Sequence, residues 1–468
     1  MTIDNRVGVG SKAEGVGHRG RTLATKGAVL GIAGLVATVL APGGPSAYAS
    51  SPQGVVQAGK ASSSCKPGAT PIVAWIWVPG INRAVNLFNK THPKICVTLD
   101  DVGAGNAEYV KLASAIKAGV GEPDVAEVEY SELPNFEITH SLLNLVPYGA
   151  SKVAKDFAPW AWKEVSQGSA VYAIPGDSGP VGLYYNSKLF AKYHLALPKT
   201  WAQFASEAAT FHKEDPAGAF TNFDATDIGW MLALMAQDGA FPFQYTGGAN
   251  ITIDFNGPKQ MAFANYWQKL IKARLVQTNT DGTVMWGEMA KSLDATWLPA
   301  AWGPSYFAPA AGNSMGVWRA APLPQWKAGA DVQTNLGGSS YPVMASSKHP
   351  AQAAAFSMWL NATMQSWNVI KTPPSSLFPT YLPLLRSPSF KTLTYPVSGS
   401  SHPNVVFDSA AEKVTPVEWP PFMTEVITEA GSMFADTLDG KATLNAALNA
   451  FQKTIVSYAK SEGFKVST

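Results

Sequence analysis

Apolar stretches with the pattern of strands alternate with amphipathic stretches in the first part of this chain. Pro71–Val78, Ile95–Val102 and Pro123–Tyr130 are rich in apolar residues and have the length of buried strands. Between them, Ile81–Pro93 and Asn106–Gly119 carry apolar side chains at helical spacing. Parallel strands need a crossover connection, usually a helix, so this order predicts a parallel sheet flanked by helices. We therefore expect an α/β fold.

Helical patterns dominate the rest of the chain. Thr200–Lys213 begins with Thr200 and has Gln203 three residues later, which predicts a capping box at the start of a helix. Further helices are predicted at Ile228–Gly239, Pro258–Arg274 and Lys441–Phe464. The 468 residues exceed what one hydrophobic core holds, which favours two domains.

The N-terminal residues have the features of an export signal. Several basic residues precede the apolar stretch Gly27–Ala41, and the small-residue sequence Ala47-Tyr48-Ala49 follows. The apolar stretch is shorter than the ~20 residues of a membrane-spanning helix. We expect residues 1–49 to be a signal peptide and residues 50–69 to be a flexible lead-in, with a retained anchor as the alternative. No cysteine directly follows the apolar stretch, so the chain lacks a lipoprotein box, and an extracellular or cell-surface location is expected.

The chain has two cysteines, Cys65 and Cys96. An even number of cysteines in an exported protein favours a disulfide. If the strands next to these residues are parallel neighbours, both cysteines lie at the same end of the sheet, where a bridge is geometrically reasonable. Two separate buried thiols are the alternative.

The sequence Gly176-Asp177-Ser178-Gly179-Pro180 is close to the loop around the nucleophilic serine of trypsin-like proteases. Such a serine needs a histidine base and an orienting acid, and no histidine stands in the sequence context that those proteases have. We interpret the segment as a turn that leads into a strand, and a crossover between domains without ligand contact is the alternative. Ser178 is not expected to be a nucleophile.

Other enzyme and nucleic-acid signals are weak. The chain has no H-E-x-x-H, no Cys/His cluster and no phosphate- or dinucleotide-binding glycine motif, so we expect no catalytic residue, metal or cofactor. Paired carboxylates are too common in the chain to indicate a glycosidase. The 35 Lys and Arg residues against 33 Asp and Glu residues give no electrostatic reason to expect nucleic-acid binding.

Five segments, in order, resemble the extracellular solute-binding proteins of ABC importers, family 1, which mostly carry sugars. They begin with "PDVAEVEYSELPNF" and "YAIPGDSGPVGLYYNSKLF…LPKTWAQF", and continue with "ATWLPAAWGPSY…MGVWRAAPLPQW", "NLGGSSYPVMASSKHPAQAAAF" and "GKATLNAALNAFQKTI". The resemblance extends over about residues 70–465. The chain departs from the family pattern in lacking the lipoprotein cysteine, and no segment specifies one sugar.

This resemblance implies a two-lobed, maltose-binding-protein-like fold of type II. Each lobe is expected to be a mainly parallel sheet flanked by helices, and hinge strands are expected to cross between the lobes. Lobe 1 would comprise residues 70–178 and 341–414, and lobe 2 would comprise residues 179–340 and 415–468. The hinge glycines would be Gly179, Gly337 and Gly338.

The resemblance also implies a ligand site in the cleft between the lobes, where carboxylates bind sugar hydroxyls and aromatic rings stack on sugar faces. Alternatives for single residues are turn capping by Asp177, core packing by Trp302 and a hinge without ligand contact at Gly337 and Gly338. One of Trp75 and Trp77 is expected to reach the ligand, and Trp75 is the candidate. Trp201, Trp230, Trp267 and Trp359 are expected in the core. The expected ligand contacts are Asp177, Trp302, Glu129, Tyr130, Trp75, Ser339, Tyr341 and Trp419.

The function that follows is an exported, non-enzymatic binding protein that captures a carbohydrate, expected to be an oligosaccharide, and delivers it to permease subunits. The protein is expected to be a monomer. Binding of another polar solute, such as a polyol, glycerol phosphate or a polyamine, is the alternative. A secreted glycoside-active enzyme and a cell-wall structural module are less favoured.

Overall fold

The computed structural model describes residues 65–280 and 282–468. The expected signal peptide, residues 1–49, and residues 50–64 of the expected lead-in lie outside this range. Among the residues described, no helix has both the length and the apolar character that crossing a membrane requires.

The strands of the described chain are short, with two to six residues each. In chain order they are β1 (Thr70–Trp75), β2 (Ile95–Asp100), β3 (Val125–Ala126), β4 (Val128–Glu129), β5 (Ser166–Gln167), β6 (Ala170–Val171), β7 (Ala173–Pro175), β8 (Leu183–Asn186), β9 (Phe243–Gln244), β10 (Asn250–Ile253), β11 (Thr296–Trp297), β12 (Trp318–Ala321), β13 (Ser339–Pro342) and β14 (Lys465–Ser467).

Helices make up most of the remaining regular structure. In chain order they are α1 (Asn82–Thr91), α2 (Asn106–Ala118), α3 (Leu133–Ile138), α4 (Pro159–Glu164), α5 (Ser187–Lys192), α6 (Trp201–Glu214), α7 (Ile228–Gln237), α8 (Pro258–Lys272), α9 (Thr283–Ala290), α10 (Gly303–Phe307), α11 (Pro350–Asn361), α12 (Met364–Ile370), α13 (Leu382–Leu385), α14 (Pro388–Lys391), α15 (Asn404–Ala411), α16 (Met423–Met433), α17 (Ala435–Leu438) and α18 (Leu444–Ser461).

The helix ends show the capping that the sequence predicts. The Thr200 side chain accepts the N–H of Gln203 at 3.2 Å, and Gln203 Oε1 accepts the N–H of Thr200 at 3.2 Å. This reciprocal pair is the capping box of α6. Gly119 ends α2 with a left-handed φ of 67°, which a glycine adopts without steric cost.

The first sheet is built from β1, β2, β3, β4, β7 and β13. Strand β1 pairs in parallel with β2 and β3. Strand β13 runs antiparallel to β4 on one side and to β7 on the other, and the bridge between Val125 and Val343 extends its pairing to β3. One antiparallel strand therefore lies within an otherwise parallel arrangement.

The second sheet repeats this arrangement around β8. Strand β8 is antiparallel to both β11 and β12. Parallel bridges join Ala219 to Asp294 and Asn222 to Gln277, so the segment around residues 219–223 continues the sheet beyond β11. Both sheets are thus mainly parallel with a single antiparallel strand near one edge, and the predicted α/β class is confirmed.

Two clusters of buried apolar side chains correspond to two lobes. The first cluster takes most of its members from residues 72–174 and 341–414, and several more from residues 285–318. The second takes its members from residues 181–276, 295–336 and 422–459. The chain passes between the two cores near residues 175–183, 336–341 and 414–422, and the segment 285–318 contributes side chains to both cores. The lobe boundaries given above remain a prediction.

The first two crossings are in close contact. Leu336 N–H donates to Gly179 O at 2.8 Å, and Gly179 N–H donates to Asn335 Oδ1 at 2.7 Å. A Cβ on Gly179 would lie 1.9 Å from Leu336 O, so no side chain fits at this position. Gly338 has a φ of +94°, and a Cβ there would lie 2.9 Å from Asp177 O. Two glycines thus allow the crossing segments to touch.

The predicted disulfide between Cys65 and Cys96 is confirmed, with a Cα–Cα distance of 5.4 Å. Cys96 stands opposite Pro71 in the parallel register of β1 and β2, and Cys65 lies just before β1. Both cysteines therefore lie at the same end of the sheet, as the sequence argument required.

The protease-like segment is buried at the first crossing. Ser178 has no exposed surface, and its backbone N–H donates to Phe378 O at 2.8 Å. Its hydroxyl donates to the same carbonyl oxygen at 3.4 Å. The environment of Ser178 is therefore that of a structural residue in a packed strand connection.

Candidate ligand-binding cleft

A cavity of about 470 Å³ lies between segments that contribute to the two cores. Its walls come from loops that follow strands, such as Trp77 after β1, Gly103–Ala107 after β2 and Leu298–Ala300 after β11. Other parts of the wall come from the chain between the first and second crossings, including Asp224, Asp227 and Trp230. Loops at the carboxyl ends of parallel strands are the usual place for ligand binding in open α/β sheets.

Three carboxylates form one side of the cavity, which we call the carboxylate wall: Glu127, Glu129 and Asp177. Ser339 connects two of them, because its N–H donates to Asp177 Oδ1 at 2.9 Å and its hydroxyl donates to Glu127 Oε1 at 2.9 Å. Glu127 Oε2 accepts the N–H of Trp77 at 3.1 Å. These hydrogen bonds hold the carboxylates in place before any ligand arrives.

The position of Glu129 depends on α2. The Tyr109 hydroxyl donates to Glu129 Oε2 at 3.1 Å and lies 3.1 Å from the N–H of Glu129. Tyr109 in turn packs against Trp77 with an edge-on ring contact of 5.9 Å between centroids. A tyrosine from the helix thus fixes both the backbone and the side chain at the end of β4.

Burial raises the pKa of every carboxyl group in the carboxylate wall. It raises the pKa of Asp177 to about 7, against the hydrogen bonds from backbone N–H groups that lower it. The pKa of Glu129 also rises to about 7, first through burial and further through the nearby Asp177, while the Tyr109 hydroxyl lowers it. Burial and the charge of Asp177 raise the pKa of Glu127 well above its usual range. The three groups therefore hold protons more strongly than exposed carboxylates do.

Aromatic side chains form another part of the lining, which we call the aromatic wall: Trp230, Trp286, Trp297, Trp302 and Tyr306. Trp230 Nε1–H donates to Leu298 O at 2.9 Å, and Trp302 Nε1–H donates to Leu336 O at 3.2 Å. The rings of Trp302 and Tyr306 meet edge-on with 5.5 Å between centroids. Because both indole N–H groups are bonded to the backbone, these two tryptophans present mainly apolar surface to the cavity.

Two further carboxylates line the cavity at the start of α7. Asp227 caps this helix by accepting the N–H of Trp230 at 3.0 Å, and Asp224 accepts the N–H of Thr226 at 2.8 Å. Burial raises the pKa of Asp227 to about 7, with contributions from Asp224 and Glu129. The cavity is thus bordered by carboxylates on two sides.

Comparison with known proteins identifies the family. Residues 74–365 match the family described as bacterial extracellular solute-binding protein. The match covers more than half of the chain and includes both crossings that border the cavity. The chain belongs to this family.

Two curated solute-binding proteins are similar over most of their length. The lactose-binding protein of Rhizobium radiobacter is 25% identical over 313 residues, which are 62% of this chain and 69% of the relative. The arabinooligosaccharide-binding protein of Bacillus subtilis is 24% identical over 333 residues, which are 67% of this chain and 75% of the relative.

Solved structures of solute-binding proteins share the two-lobed fold. An ABC transporter associated binding protein from B. animalis subsp. lactis, in complex with β-1,6-galactobiose, is 27% identical, with a TM-score of 0.73, covering 86% of this chain and all of that one. A galacto-N-biose-/lacto-N-biose I-binding protein from Bifidobacterium longum is 23% identical, with a TM-score of 0.75 and the same coverage. The fold predicted from the resemblance is confirmed.

The structure brings six of the predicted site and hinge residues together in the cavity wall of this solute-binding protein: Asp177, Trp302, Glu129, Ser339, Gly337 and Gly338. Gly179 lies directly behind the wall, because a Cβ there would be 2.7 Å from Trp302 Nε1. The predicted cluster of carboxylate, ring and crossing glycines is therefore present, and contact with a ligand remains a prediction.

The cavity is lined by Trp77 and not by Trp75, the residue that the sequence favoured. Trp75 is the last residue of β1 and belongs to the first hydrophobic core, whereas Trp77 lies beyond the strand end and lines the cavity. Strand alternation does not separate these residues, since side chains two positions apart share a face. Their positions differ because β1 ends at Trp75, so that Trp77 lies in the following loop, which lines the cavity.

Three other predicted contacts lie outside the cavity wall. Tyr130 is buried behind it, and its hydroxyl donates to Asp177 O at 3.1 Å. Tyr341 is buried beneath Gly176, where an added Cβ would meet its ring at 2.5 Å. Trp419 lies near the third crossing, where its Nε1–H donates to Glu164 Oε2 at 3.3 Å. In this structure these residues support the backbone around the cavity and do not line it.

Sequence reasoning missed several residues of the wall: Glu127, Asp224, Asp227, Trp286, Trp297 and Tyr306. Trp230 was expected in the core and is indeed buried, yet it also borders the cavity. Glu127 could have been found from its spacing, because it stands two residues before Glu129 in the third strand segment. Trp297 and Tyr306 lie in the same resembling segment as Trp302, which is the signal that was overlooked.

Proposed function

We propose that this chain is an exported substrate-binding protein of an ABC importer, which captures a carbohydrate and delivers it to membrane permease subunits. The observation that carries the proposal is one cavity that is lined by both buried carboxylates and tryptophan rings. Sugar hydroxyl groups donate hydrogen bonds to carboxylates, and the apolar faces of sugar rings pack on aromatic side chains. A site for sugars needs both groups, and this cavity offers both.

The relatives support a carbohydrate, and in particular an oligosaccharide, as the ligand. They are a lactose-binding protein, an arabinooligosaccharide-binding protein and a binding protein solved in complex with β-1,6-galactobiose. A phosphorylated ligand would require basic side chains, and the described wall of the cavity offers none. Several aromatic side chains border the cavity, so more than one sugar ring can stack on its wall.

The mechanism follows from the position of the cavity between two cores. A ligand that contacts both the carboxylate wall and the aromatic wall gains most of its contacts when the lobes approach each other, so binding favours a closed arrangement. Gly337 and Gly338, with φ of +67° and +94°, lie at the crossing where such a rotation would be absorbed. The closed, loaded protein then docks on the permease as a monomer and without converting its ligand.

Export is the remaining part of the proposal. The basic and apolar sequence of residues 1–49 supports secretion through a cleaved signal peptide, and the disulfide of Cys65 and Cys96 suits an oxidising compartment. The site of action would be extracellular or at the cell surface.

A thermal-shift screen against mono- and oligosaccharides tests the proposal. A ligand that binds only the native state raises its melting temperature, and we expect an increase of several °C together with a change in tryptophan fluorescence. The Trp302→Ala variant should show smaller responses than the wild type at the same sugar concentration. If no carbohydrate in a broad panel shifts the melting temperature or the fluorescence of the wild type, the proposed function is wrong.

A further inference from the structure

Every charged side chain in the described wall of the cavity is a carboxylate. Glu127, Glu129 and Asp177 stand on one side, and Asp224 and Asp227 stand at the start of α7. Burial raises the pKa of Glu127, Glu129, Asp177 and Asp227, and no Lys or Arg side chain stands in the described wall. The cavity therefore concentrates carboxyl groups whose ionised forms the wall does not balance with a positive charge.

Such charge is costly in a partly closed cavity. Like charges at short distance repel more strongly where protein replaces water, and burial of a carboxylate without a counter-charge opposes its ionisation. Hydroxyl groups of a neutral sugar can hydrogen-bond to these carboxylates but add no opposite charge. A ligand with a positive charge would supply what the wall lacks.

One carboxylate oxygen is positioned to receive a ligand group. Asp177 is only 6% exposed, and its Oδ1 accepts the N–H of Ser339 at 2.9 Å, while its Oδ2 accepts no hydrogen bond from another described residue. Oδ2 belongs to a side chain that lines the cavity. A buried acceptor of this kind is normally satisfied in the functional complex.

The surroundings of Gly337 point to the same part of the cavity. A carbon atom at the Cβ position of Gly337 would lie 3.5 Å from Glu129 Oε1 and 3.8 Å from Cζ2 and Nε1 of Trp302. A small group near this position therefore reaches a carboxylate oxygen and an indole ring at once. An ammonium group suits such a place, because it donates several hydrogen bonds to carboxylates and is attracted to aromatic rings.

We propose that the carbohydrate bound in this cavity carries an unsubstituted, protonated amino group, which binds between Asp177 and Glu129 beside Trp302. The proposal rests on the proposed function and names the class of carbohydrate: an amino sugar or an oligosaccharide that contains one. N-acetylation removes the positive charge of the ligand and adds bulk. A uronic acid gives the ligand a negative charge, which the carboxylates of the wall repel. Both modifications should weaken binding.

Calorimetric titration at pH 7 with matched disaccharides tests this proposal. Each set has one gluco or galacto backbone and one linkage, β-1,4 or β-1,6, and contains the amino, N-acetylamino and hydroxyl forms. In at least one set we expect the amino form to bind at least about tenfold more tightly than the other two, a difference of about 1.4 kcal/mol. If a neutral or N-acetylated form binds as tightly as the amino form in every set that binds, the inference is wrong and the proposed function stands. If no disaccharide of these sets binds but another carbohydrate of the broad panel does, the inference alone is wrong; if no carbohydrate of the panel binds either, both are wrong.

The protons that are exchanged on binding give a second readout. An ammonium group favours the ionised carboxylates, so the amino form should release protons near pH 7, and the measured heat should change between two buffers of different ionisation enthalpy. The N-acetylated form should release fewer protons. Equal or greater proton release with the N-acetylated form would contradict the proposed contact. The titratable groups on the surrounding elements that interact electrostatically with Asp177 or Glu129 are Glu127, Tyr109, Tyr130, Glu132, Asp227, Tyr306 and Tyr341.

Two conservative variants locate the amino group. Asp177→Asn and Glu129→Gln keep the oxygen that accepts from Ser339 or Tyr109 and remove the charge. Each should weaken the amino form by about tenfold or more and the N-acetylated form by less, since charge-assisted hydrogen bonds exceed neutral ones. Asp331→Asn, on the surface beside Lys413, is the matched control and should change neither affinity. A uniform loss for both ligands in both folded variants would contradict the proposed position.

Discussion

The carboxylate wall and the aromatic wall of the cavity differ in how hydrogen bonds hold them: the side chains of the first accept hydrogen bonds, and two tryptophans of the second donate them. On the carboxylate wall, the side-chain oxygens of Glu127, Glu129 and Asp177 accept hydrogen bonds from the backbone, a serine or a tyrosine. On the aromatic wall, the polar N–H groups of Trp230 and Trp302 donate to the backbone carbonyls of Leu298 and Leu336. One wall offers partly satisfied acceptors, and the other offers apolar ring surface.

The two walls therefore contribute differently to ligand binding. The carboxylates contribute direction and charge, because each hydrogen bond requires a donor at a defined place. The rings contribute apolar contact area that tolerates small displacements of the ligand. Variants of the two walls should therefore weaken binding in distinguishable ways.

Asp177→Ala should have the largest effect on affinity. It removes a buried charged acceptor and leaves the N–H of Ser339 without its partner, and charge-assisted hydrogen bonds contribute about 1.5–3 kcal/mol, which corresponds to an affinity loss of about 10- to 150-fold. Calorimetry with the sugar found in the thermal-shift screen measures this loss. The neighbouring Ser178→Ala, which removes a hydroxyl bonded to Phe378 O, should keep most of the affinity. Equal losses of affinity in the two variants would contradict a direct contact between Asp177 and the ligand.

Trp302→Ala should have the second-largest effect. It removes a ring surface and leaves Leu336 O unpaired, and truncation of a central aromatic contact costs about 2 kcal/mol, or roughly 30-fold in affinity. Because the proposed ammonium group lies beside this ring, the loss should be at least as large for the amino ligand as for the N-acetylated one. Trp419→Ala, outside the cavity, is the matched control and should cost much less. If the Trp419 variant loses as much, stacking on Trp302 does not explain the effect.

The smallest of the expected effects is the pH dependence of the melting temperature. It depends on the carboxyl groups and so tests the carboxylate wall and not the aromatic wall. The pKa of Asp177 and that of Glu129 are raised to about 7 in the folded protein, so the folded state holds more protons than the unfolded state between about pH 4 and 7. The free energy of unfolding contributed by these groups is therefore greatest below their unfolded pKa values, and it decreases as the pH rises through 7. Melting temperatures of the ligand-free protein at pH 5 to 8 should fall with pH.

The Asp177→Asn variant sharpens this pH measurement. It removes one of the groups with a raised pKa, so its melting temperature should depend less on pH than that of the wild type. Trp302→Ala, a variant of the aromatic wall, should retain the wild-type slope. A slope that Asp177→Asn leaves unchanged would assign the pH dependence to other buried acids, such as Glu164, whose pKa burial raises to about 7.

The sequence predicted the two walls unequally well. Asp177, Glu129 and Trp302 were found because they stand in segments whose order resembles a known family. The strand ends of the first sheet were also predictable from apolar runs, although the pattern misjudged where β1 stops and hence which of Trp75 and Trp77 faces the cavity. The capping box of α6 was predictable because its two residues interact locally.

The remainder of the aromatic wall could not be read from local patterns. Trp230 and Trp286 come from helices, and a helical apolar face looks the same whether it meets a core or a cavity. Asp224 and Asp227 precede α7, where an acidic residue is common simply as a helix cap. Their role depends on the packing of α7 beside β11, and that packing brings together residues about 70 positions apart.

Ser339 has a consequence for observing this molecule at work. It belongs to β13, which begins at the second crossing, and it holds both Asp177 and Glu127 through one backbone and one side-chain hydrogen bond. A rotation at Gly337 and Gly338 would move this serine and so alter the hydrogen bonding of both carboxyl groups. The carboxyl stretching bands in an infrared difference spectrum would then report the opening and closing of the protein directly, without an attached dye.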